Sequence, residues 1–211
     1  MTEPSARERL LVAATGLFAA RGIAVVTVDD ILERAGVAIP TLYRQFKGGK
    51  PRLVAATLAW WSQAHLERMQ AALQSAQDPQ QRLEQLIAVL AKWFSQKDYR
   101  GSYVTNAAAD VTALSEVTTS PEARAAFRDA RTAITEHRQA ERALLVELTR
   151  YAGAADPEGL ADQLHVVLDG AVEGAKLASP DRRPAIVEAT RAIALGLLKQ
   201  STAAANLSAQ P

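Results

Sequence analysis

Residues 27–46 decide the fold, and they read TVDDILERAGVAIPTLYRQF. Thr27 is followed three residues later by Asp30, a capping-box pattern that begins a helix and satisfies its first backbone amides. Gly36 can adopt the left-handed conformation that ends this helix after about two turns. A second short helix is predicted over residues 41–46, where apolar side chains recur at helical spacing. The stretch therefore predicts two short helices joined by a tight turn.

A helix before this stretch completes a three-helix segment. Ser5 and Glu8 form another capping box, and Gly22 is suited to end the helix that they begin. Three short helices at the start of a chain, the last two joined by a Gly-containing turn, are typical of a helix-turn-helix domain. Leu42 and Phe46 are predicted to anchor the third helix to the core of this domain.

The outward face of the third helix is predicted to contact DNA. A recognition helix lies in the major groove with its N-terminal residues against the base edges. Thr and Tyr hydroxyls can bond phosphate oxygens, Arg and Gln can bond guanine and adenine edges, and Ile or Pro can contact a thymine methyl group. An ordinary solvated face is the alternative interpretation. The side chains that remain for the outward face are Ile39, Pro40, Thr41, Tyr43, Arg44 and Gln45.

The positive charge of the chain is concentrated at its start. The first 52 residues carry eight basic and five acidic side chains, whereas the remaining residues carry 16 basic and 18 acidic ones. A basic N-terminal segment suits binding to phosphate groups, although its excess charge is small.

Composition and motifs exclude several classes of protein. The chain has no cysteine, which rules out disulfides, cysteine-based zinc sites and thiol nucleophiles. No HExxH, phosphate-loop or GxSxG motif is present, so we predict neither an enzyme nor a cofactor. A metal site would depend on the three scattered histidines, His65, His137 and His165, and none is predicted. No signal peptide or long uncharged run is visible, so the protein is expected to be cytoplasmic.

Longer helices follow the N-terminal segment. Apolar residues recur at helical spacing, and proline after Ser120 or Asp156 marks a helix start. The prediction is an all-α fold of about nine helices, with a helix-turn-helix domain at 1–49, a larger helical domain at 50–200 and a disordered tail at 201–211. The later helices are predicted at 51–76, 79–95, 103–114, 121–151, 157–179 and 181–199.

Three strings in the first quarter of the chain closely resemble the TetR family of repressors. They are RERLLVAATGLFAARG at 7–22, TVDDILERAGV at 27–37 and TLYRQF at 41–46. The resemblance implies that Thr27 and Lys50 contact phosphates, that Tyr43 contacts the DNA backbone, and that Ile39, Thr41 and Arg44 lie nearest the bases. The complete set assigned to DNA contact is Thr27, Val28, Ile39, Pro40, Thr41, Tyr43, Arg44, Gln45, Lys47 and Lys50.

The chain departs from the family pattern in two places. Ala38, Ile39 and Pro40 stand where the family commonly has Ser, then Lys, Arg or Pro, then Gly. The interval from Phe46 to Lys50 is also one residue longer than usual, which makes Lys47 an alternative to Lys50 for contact with a phosphate.

The resemblance further implies a homodimer formed by the last two helices of the larger domain. Small and apolar residues on these helices suit close contact with a second chain, and packing within the chain's own core is the alternative. The residues assigned to the interface are Leu164, His165, Leu168, Ala171, Gly174, Ile186, Ile193 and Leu197.

The larger domain is expected to bind a small apolar or aromatic effector. His137 and Glu141 interrupt the apolar stripe of the seventh helix, so these two either satisfy each other or contact a ligand. By the resemblance, a ligand between the fourth and seventh helices would pivot the fourth helix and release a palindromic operator. The residues assigned to the ligand are Trp60, Trp61, Trp93, Phe94, Tyr103, Asn106, Asp110, Phe127, His137 and Glu141.

Two other functions are compatible with the same sequence. One is a transcriptional activator with the same DNA-binding segment, because repression and activation differ in the position of the operator. The other is a helical ligand-binding protein whose unusual Ile39-Pro40 pair has weakened DNA binding.

Overall fold

The computed structural model describes residues 3–208, and their side chains as far as residue 203. All regular secondary structure in this part of the chain is helical, as predicted. The α-helices are α1 (Ala6–Arg21), α2 (Val28–Ala35), α3 (Ile39–Gln45), α4 (Lys50–Gln74), α5 (Pro79–Phe94), α6 (Tyr103–Val117), α7 (Pro121–Tyr151), α8 (Pro157–Leu177) and α9 (Arg183–Ser208), with a 3₁₀ turn at Pro180–Arg182.

The caps that the sequence predicts are present at the start of the chain. The Ser5 hydroxyl accepts a hydrogen bond from the Glu8 amide, and the Glu8 carboxylate accepts one from the Ser5 amide. The same reciprocal pair forms between Thr27 and Asp30 at the start of α2. Gly36 adopts φ 62° and ψ 44° where α2 ends. This is the left-handed conformation, in which a residue with a side chain would be strained.

The chain divides into two compact units. The first unit comprises the residues up to Ala64 together with Ser102–His137, and the second comprises His65–Gly101 together with the residues from Arg138 onward. The helix-turn-helix segment thus shares one core with α6 and the first part of α7, although the sequence predicts a boundary near residue 49. Side chains from α1, α2, α3, α4, α6 and α7 meet in this core, among them Leu10, Ile31, Leu42, Leu58, Val111 and Phe127.

The second unit has its own apolar core. Leu83 and Ile87 of α5 are fully buried there with Leu145 of α7 and Leu164 of α8. Each fully buried aliphatic side chain of this size contributes about 1.5–3 kcal/mol by leaving water.

A buried arginine in the second unit satisfies the ends of two helices. The Arg183 guanidinium donates to the backbone carbonyls of Phe94, Gln96 and Ala175, at 3.1, 3.2 and 3.2 Å. The last carbonyls of a helix have no partner within that helix, so these bonds supply what α5 and α8 lack at their C-terminal ends. The guanidinium also lies 5.2 Å from the centre of the Tyr99 ring.

The helix at the end of the chain is longer than the sequence predicts. We expected α9 to end near residue 199 and the tail at 201–211 to be disordered, but α9 continues to Ser208. The expectation was wrong for 201–208 because the three alanines at 203–205 have the highest helix propensity of any residue. Residues 209–211 lie outside the described residues. Over the described residues, no helix is both long enough and apolar enough to span a membrane.

Candidate functional site

The start of α2 presents Thr27 at the surface. Its side-chain oxygen accepts the Asp30 amide at 3.1 Å and donates to the Asp30 carboxylate at 2.8 Å. The Asp30 carboxylate also accepts a hydrogen bond from the Thr27 backbone amide, and this bond, followed by those from the Thr27 hydroxyl and Arg21, lowers the pKa of Asp30 from 3.8 to about 2. The cap fixes the exposed N-terminus of α2, which is where the resemblance implies a contact with phosphate.

Helix α3 has a buried face and an exposed face, as its sequence predicts. Leu42 and Phe46 are buried in the core, which confirms that they anchor the helix. On the opposite face, Ile39 is 50% exposed and Tyr43 is 51% exposed. Pro40 and Arg44 are also exposed, Thr41 and Gln45 are partly buried, and Val28 of α2 packs against the core.

The turn after α3 positions Tyr43. Gly49 has φ +66°, and a Cβ atom built on it would lie 3.0 Å from Cε1 of the Tyr43 ring. A residue with a side chain would therefore strain the backbone and displace the ring. The Tyr43 ring thus packs against the turn between Phe46 and Lys50.

The two candidate lysines differ in their surroundings. Lys47 is exposed, whereas Lys50 is partly buried at the start of α4. Burial lowers the pKa of Lys50, while the charges of Asp110 and Asp30 act in the opposite direction. The nearby carboxylates offset part of the positive charge that Lys50 could present to a phosphate, so Lys47 has the more open position.

Asp110 of α6 contacts the helix-turn-helix segment. Its Oδ2 atom accepts a hydrogen bond of 2.5 Å from the backbone amide of Ile23, just after α1 ends. The sequence assigned Asp110 to the ligand, but the structure gives it a role in positioning α1. No local pattern signals this contact, because the two residues are 87 positions apart. Asn106, also assigned to the ligand, lies one turn earlier on α6 and is partly buried.

An aromatic cluster in the first unit contains three of the residues assigned to the ligand. The Trp61 ring lies 6.1 Å from the Tyr103 ring and 5.5 Å from the His137 ring, both in edge-on arrangements. The Tyr103 hydroxyl shares a 2.8 Å hydrogen bond with the Thr57 hydroxyl, and burial raises the pKa of Tyr103.

His137 is tied to this cluster by a further contact, whereas the other first-unit residues assigned to the ligand lie in different surroundings. His137 Nδ1 shares a hydrogen bond of 2.9 Å with the Ser62 hydroxyl. Phe127 is part of the buried core, and Trp60 is 38% exposed. Trp61, Tyr103 and His137 are therefore the compact group among them.

A second cluster surrounds Glu141 in the second unit. Glu141 Oε1 lies 3.3 Å from His65 Nε2, and Glu141 Oε2 accepts a hydrogen bond from Arg138 at 3.2 Å. The ring centres of His65 and Trp93 are 5.9 Å apart. Trp93 and Glu141 thus meet at His65, a residue that the sequence did not assign to any site. Phe94, by contrast, packs in the apolar core against Tyr99.

The surfaces of α8 and α9 differ from the predicted interface. Leu164, Leu168 and Ala171 are buried in the core of the chain itself, so they are not available to a second chain. His165, Gly174, Ile186 and Leu197 are partly buried, and Ile193 is 52% exposed. The sequence missed Val166 and Leu177, which are 72% and 84% exposed. Periodicity predicted an apolar stripe correctly but did not show which side of α8 faces the core.

A cleft of about 270 Å³ also lies in the second unit. None of the residues assigned to the effector lines it, and its lining is mostly polar: Asp156, Leu160, Gln163, Leu197, Gln200 and Ser201.

Comparison with known proteins places the helix-turn-helix segment in a family. The family described as bacterial regulatory proteins, TetR family, matches residues 10–57. The HTH-type transcriptional regulator BetI of Brucella canis is 36% identical over 87 residues, which span 41% of this chain and 43% of that relative. The family match covers most of α1, all of α2 and α3, and the start of α4.

Solved structures resemble nearly the whole chain. A TetR-family transcriptional regulator from Streptomyces coelicolor is 27% identical with a TM-score of 0.77, over 93% of this chain and 96% of that one. The regulator CifR, solved as a cysteine mutant with a 26-bp double-strand operator DNA, is 27% identical with a TM-score of 0.68, over 90% of this chain and 98% of that one. The N-terminal segment therefore matches the TetR family, and the fold of nearly the whole chain is similar to that of TetR-family transcriptional regulators.

Proposed function

We propose that this protein is a homodimeric repressor that binds a palindromic operator through α3 and leaves it when a small apolar or aromatic ligand binds. The observation that carries the proposal is the two-sided packing of α3 inside the segment that matches the family. Leu42 and Phe46 are buried, while Ile39, Tyr43 and Arg44 are exposed. The likeness to CifR, which was solved on operator DNA, supports the same role for this surface.

Exposed apolar residues on α8 and α9 support the homodimer. Val166, Leu177 and Ile193 expose more than half of their surface, and apolar side chains so exposed gain free energy when a partner covers them. A Cβ atom added at Gly170 or Gly196 would meet no atom within 4 Å, so both helices also present open backbone for close approach. The two recognition helices of such a dimer must lie roughly 34–36 Å apart to enter successive major grooves.

Helix α6 offers a physical connection between the effector and DNA. Tyr103 at its start belongs to the aromatic cluster, and Asp110 holds the Ile23 amide seven residues later, about 10 Å along the helix. A ligand that displaces the Tyr103 end of α6 would shift Asp110 and with it the end of α1. The ligand can change the affinity for DNA only by as much as its own affinity differs between the DNA-binding and the non-binding conformation.

Selection of genomic fragments by the purified protein at fixed salt tests DNA recognition. Salt must be controlled because phosphate contacts make affinity strongly salt-dependent. Enrichment of a short palindrome supports the proposal, and enrichment of no sequence favours the helical ligand-binding protein with weakened DNA binding.

Variants of α3 locate the contact. Arg44→Ala should weaken operator binding by roughly 5- to 150-fold, the equivalent of about 1–3 kcal/mol for one bidentate base contact. Arg128→Ala is the matched control, because Arg128 is an exposed arginine on α7 in the same unit. Both variants should remain dimeric. Equal binding by Arg44→Ala and the wild type would contradict the placement of the recognition helix.

Transcription from the promoter nearest the selected operator distinguishes repression from activation. Higher expression in a deletion strain supports the repressor. Lower expression would instead assign the protein as an activator with the same DNA-binding segment.

A further inference from the structure

One basic side chain beside α3 is absent from the DNA contacts assigned from the sequence. The Arg7 guanidinium lies over the Phe46 ring, with 5.2 Å between its central carbon and the centre of the ring. Phe46 directly follows α3, and its backbone amide donates to the Leu42 carbonyl within that helix. The packing of α1 against α3 therefore holds Arg7 at the C-terminal end of α3.

The charge of Arg7 is open to solvent. The residue is exposed, and it forms no ion pair with any other residue in the described part of the chain. Glu8, the next residue, bonds the Ser5 amide instead, and adjacent residues of a helix do not face each other. Arg9 differs from Arg7, because its guanidinium donates to the Ala35 carbonyl. Arg7 therefore keeps its charge and its hydrogen-bond donors available for a partner outside the chain.

The contact with Phe46 holds Arg7 in place without using those donors. A cation is attracted to the face of an aromatic ring by the charge distribution of the ring, and this attraction requires no N–H group. The N–H donors of the guanidinium can still bond an anion, and their planar arrangement matches two oxygens of a phosphate. A side chain that is already held in place also loses less conformational freedom when it binds.

The position of Arg7 suits a phosphate at the edge of the major groove. With seven residues, α3 is about 10 Å long, and the major groove is about 12 Å wide. Because the N-terminal residues of a recognition helix lie against the bases, its C-terminal end reaches towards a sugar-phosphate strand that borders the groove. We propose that Arg7 binds a backbone phosphate there and adds a sequence-independent contact to those of α3. The inference rests on the proposed function, because it requires that α3 enters DNA.

Titration of the operator duplex recovered by the genomic selection, at roughly 50 to 200 mM salt, tests the contact. Each phosphate contact contributes about 0.9 to the slope of log affinity against log salt, so the loss of one contact per chain removes about 1.8 from the slope of a dimer. Over this range the affinity of Arg7→Gln should fall about tenfold less than that of the wild type. The two proteins should therefore differ most at low salt.

Matched variants separate a phosphate contact from a purely structural role. Arg7→Lys should keep most of the salt slope, because it keeps the charge. Arg128→Gln removes an exposed arginine from α7 in the same unit, and it should keep the wild-type slope. Arg7→Gln should weaken binding by the same factor on the operator and on an operator with one altered base pair, because a phosphate carries no sequence information. Circular dichroism establishes that each variant is folded before titration.

Three outcomes would overturn the contact. An unchanged salt slope in folded Arg7→Gln, with an operator that the wild type binds, would leave Arg7 as a cover for Phe46 and the proposed function intact. A loss of affinity that differs between the operator and its altered form would make Arg7 a base contact instead. Failure of the wild type to bind any sequence selectively would refute the proposed function and this contact with it.

Discussion

Replacement of Asp110 by Ala should destabilise the first unit because it leaves a buried amide without an acceptor. The Ile23 amide donates to Asp110 Oδ2 at 2.5 Å, and Ile23 is only 1% exposed, so water cannot easily take the place of the carboxylate. A hydrogen bond to a charged group contributes about 1.5–3 kcal/mol to stability. For a chain of this length, such a loss lowers the melting temperature by roughly 3–12 °C.

Urea unfolding at one fixed protein concentration measures the effect, since the proposed dimerisation would make apparent stability depend on concentration. Asp110→Asn should lose less free energy of unfolding than Asp110→Ala, because the amide oxygen can still accept the hydrogen bond from Ile23. Glu116→Ala, at an exposed carboxylate near the end of the same helix, should stay within about 0.5 kcal/mol of the wild type.

The result separates two roles for Asp110. If Asp110→Ala unfolds within about 0.5 kcal/mol of the wild type, the contact with Ile23 does not hold α1, and the reasoning from the structure fails. If that variant instead changes only the affinity for an effector, the assignment made from the sequence is the better one.

Three further outcomes are expected from the same structure. Leu42→Ala should cost about 2–5 kcal/mol in urea unfolding because it empties a fully buried position, and a cost below 1 kcal/mol would show that α3 is not anchored there. Leu177→Lys combined with Val166→Lys should convert the proposed dimer to a monomer in sedimentation experiments, whereas an unchanged dimer would place the interface elsewhere. The pKa of Asp30 is lowered from 3.8 to about 2, so its contribution to folding stability is complete above pH 3.8 and disappears as the pH falls towards 2. Asp30→Asn should therefore remove part of the pH dependence of unfolding in that range, and an identical pH profile would contradict the cap.

Helix boundaries near the start of the chain could be predicted because their signals are local. The reciprocal bonds of Ser5 with Glu8 and of Thr27 with Asp30 depend on residues three positions apart, and Gly36 ends α2 through its own backbone geometry. The resemblance to a known family was likewise concentrated in these residues. Local rules of this kind need no knowledge of what packs against the helix.

Features that depend on contacts between distant residues could not be predicted from the sequence. Nothing near Asp110 indicates that it accepts the amide of Ile23, and nothing near Glu141 indicates that His65 faces it. On α8, apolar residues lie on more than one side of the helix, so periodicity did not distinguish buried Leu164 from exposed Val166. Such distinctions arise only when the neighbouring helices are in place.

The buried guanidinium of Arg183 makes three helices of the second unit depend on one side chain. It lies at the start of α9 and binds carbonyls at the ends of α5 and α8. Fraying of either helix end breaks a hydrogen bond to the same guanidinium, so the opening of one end destabilises the other. The C-terminal ends of α5 and α8 should consequently open together as one cooperative element rather than as independent helix termini.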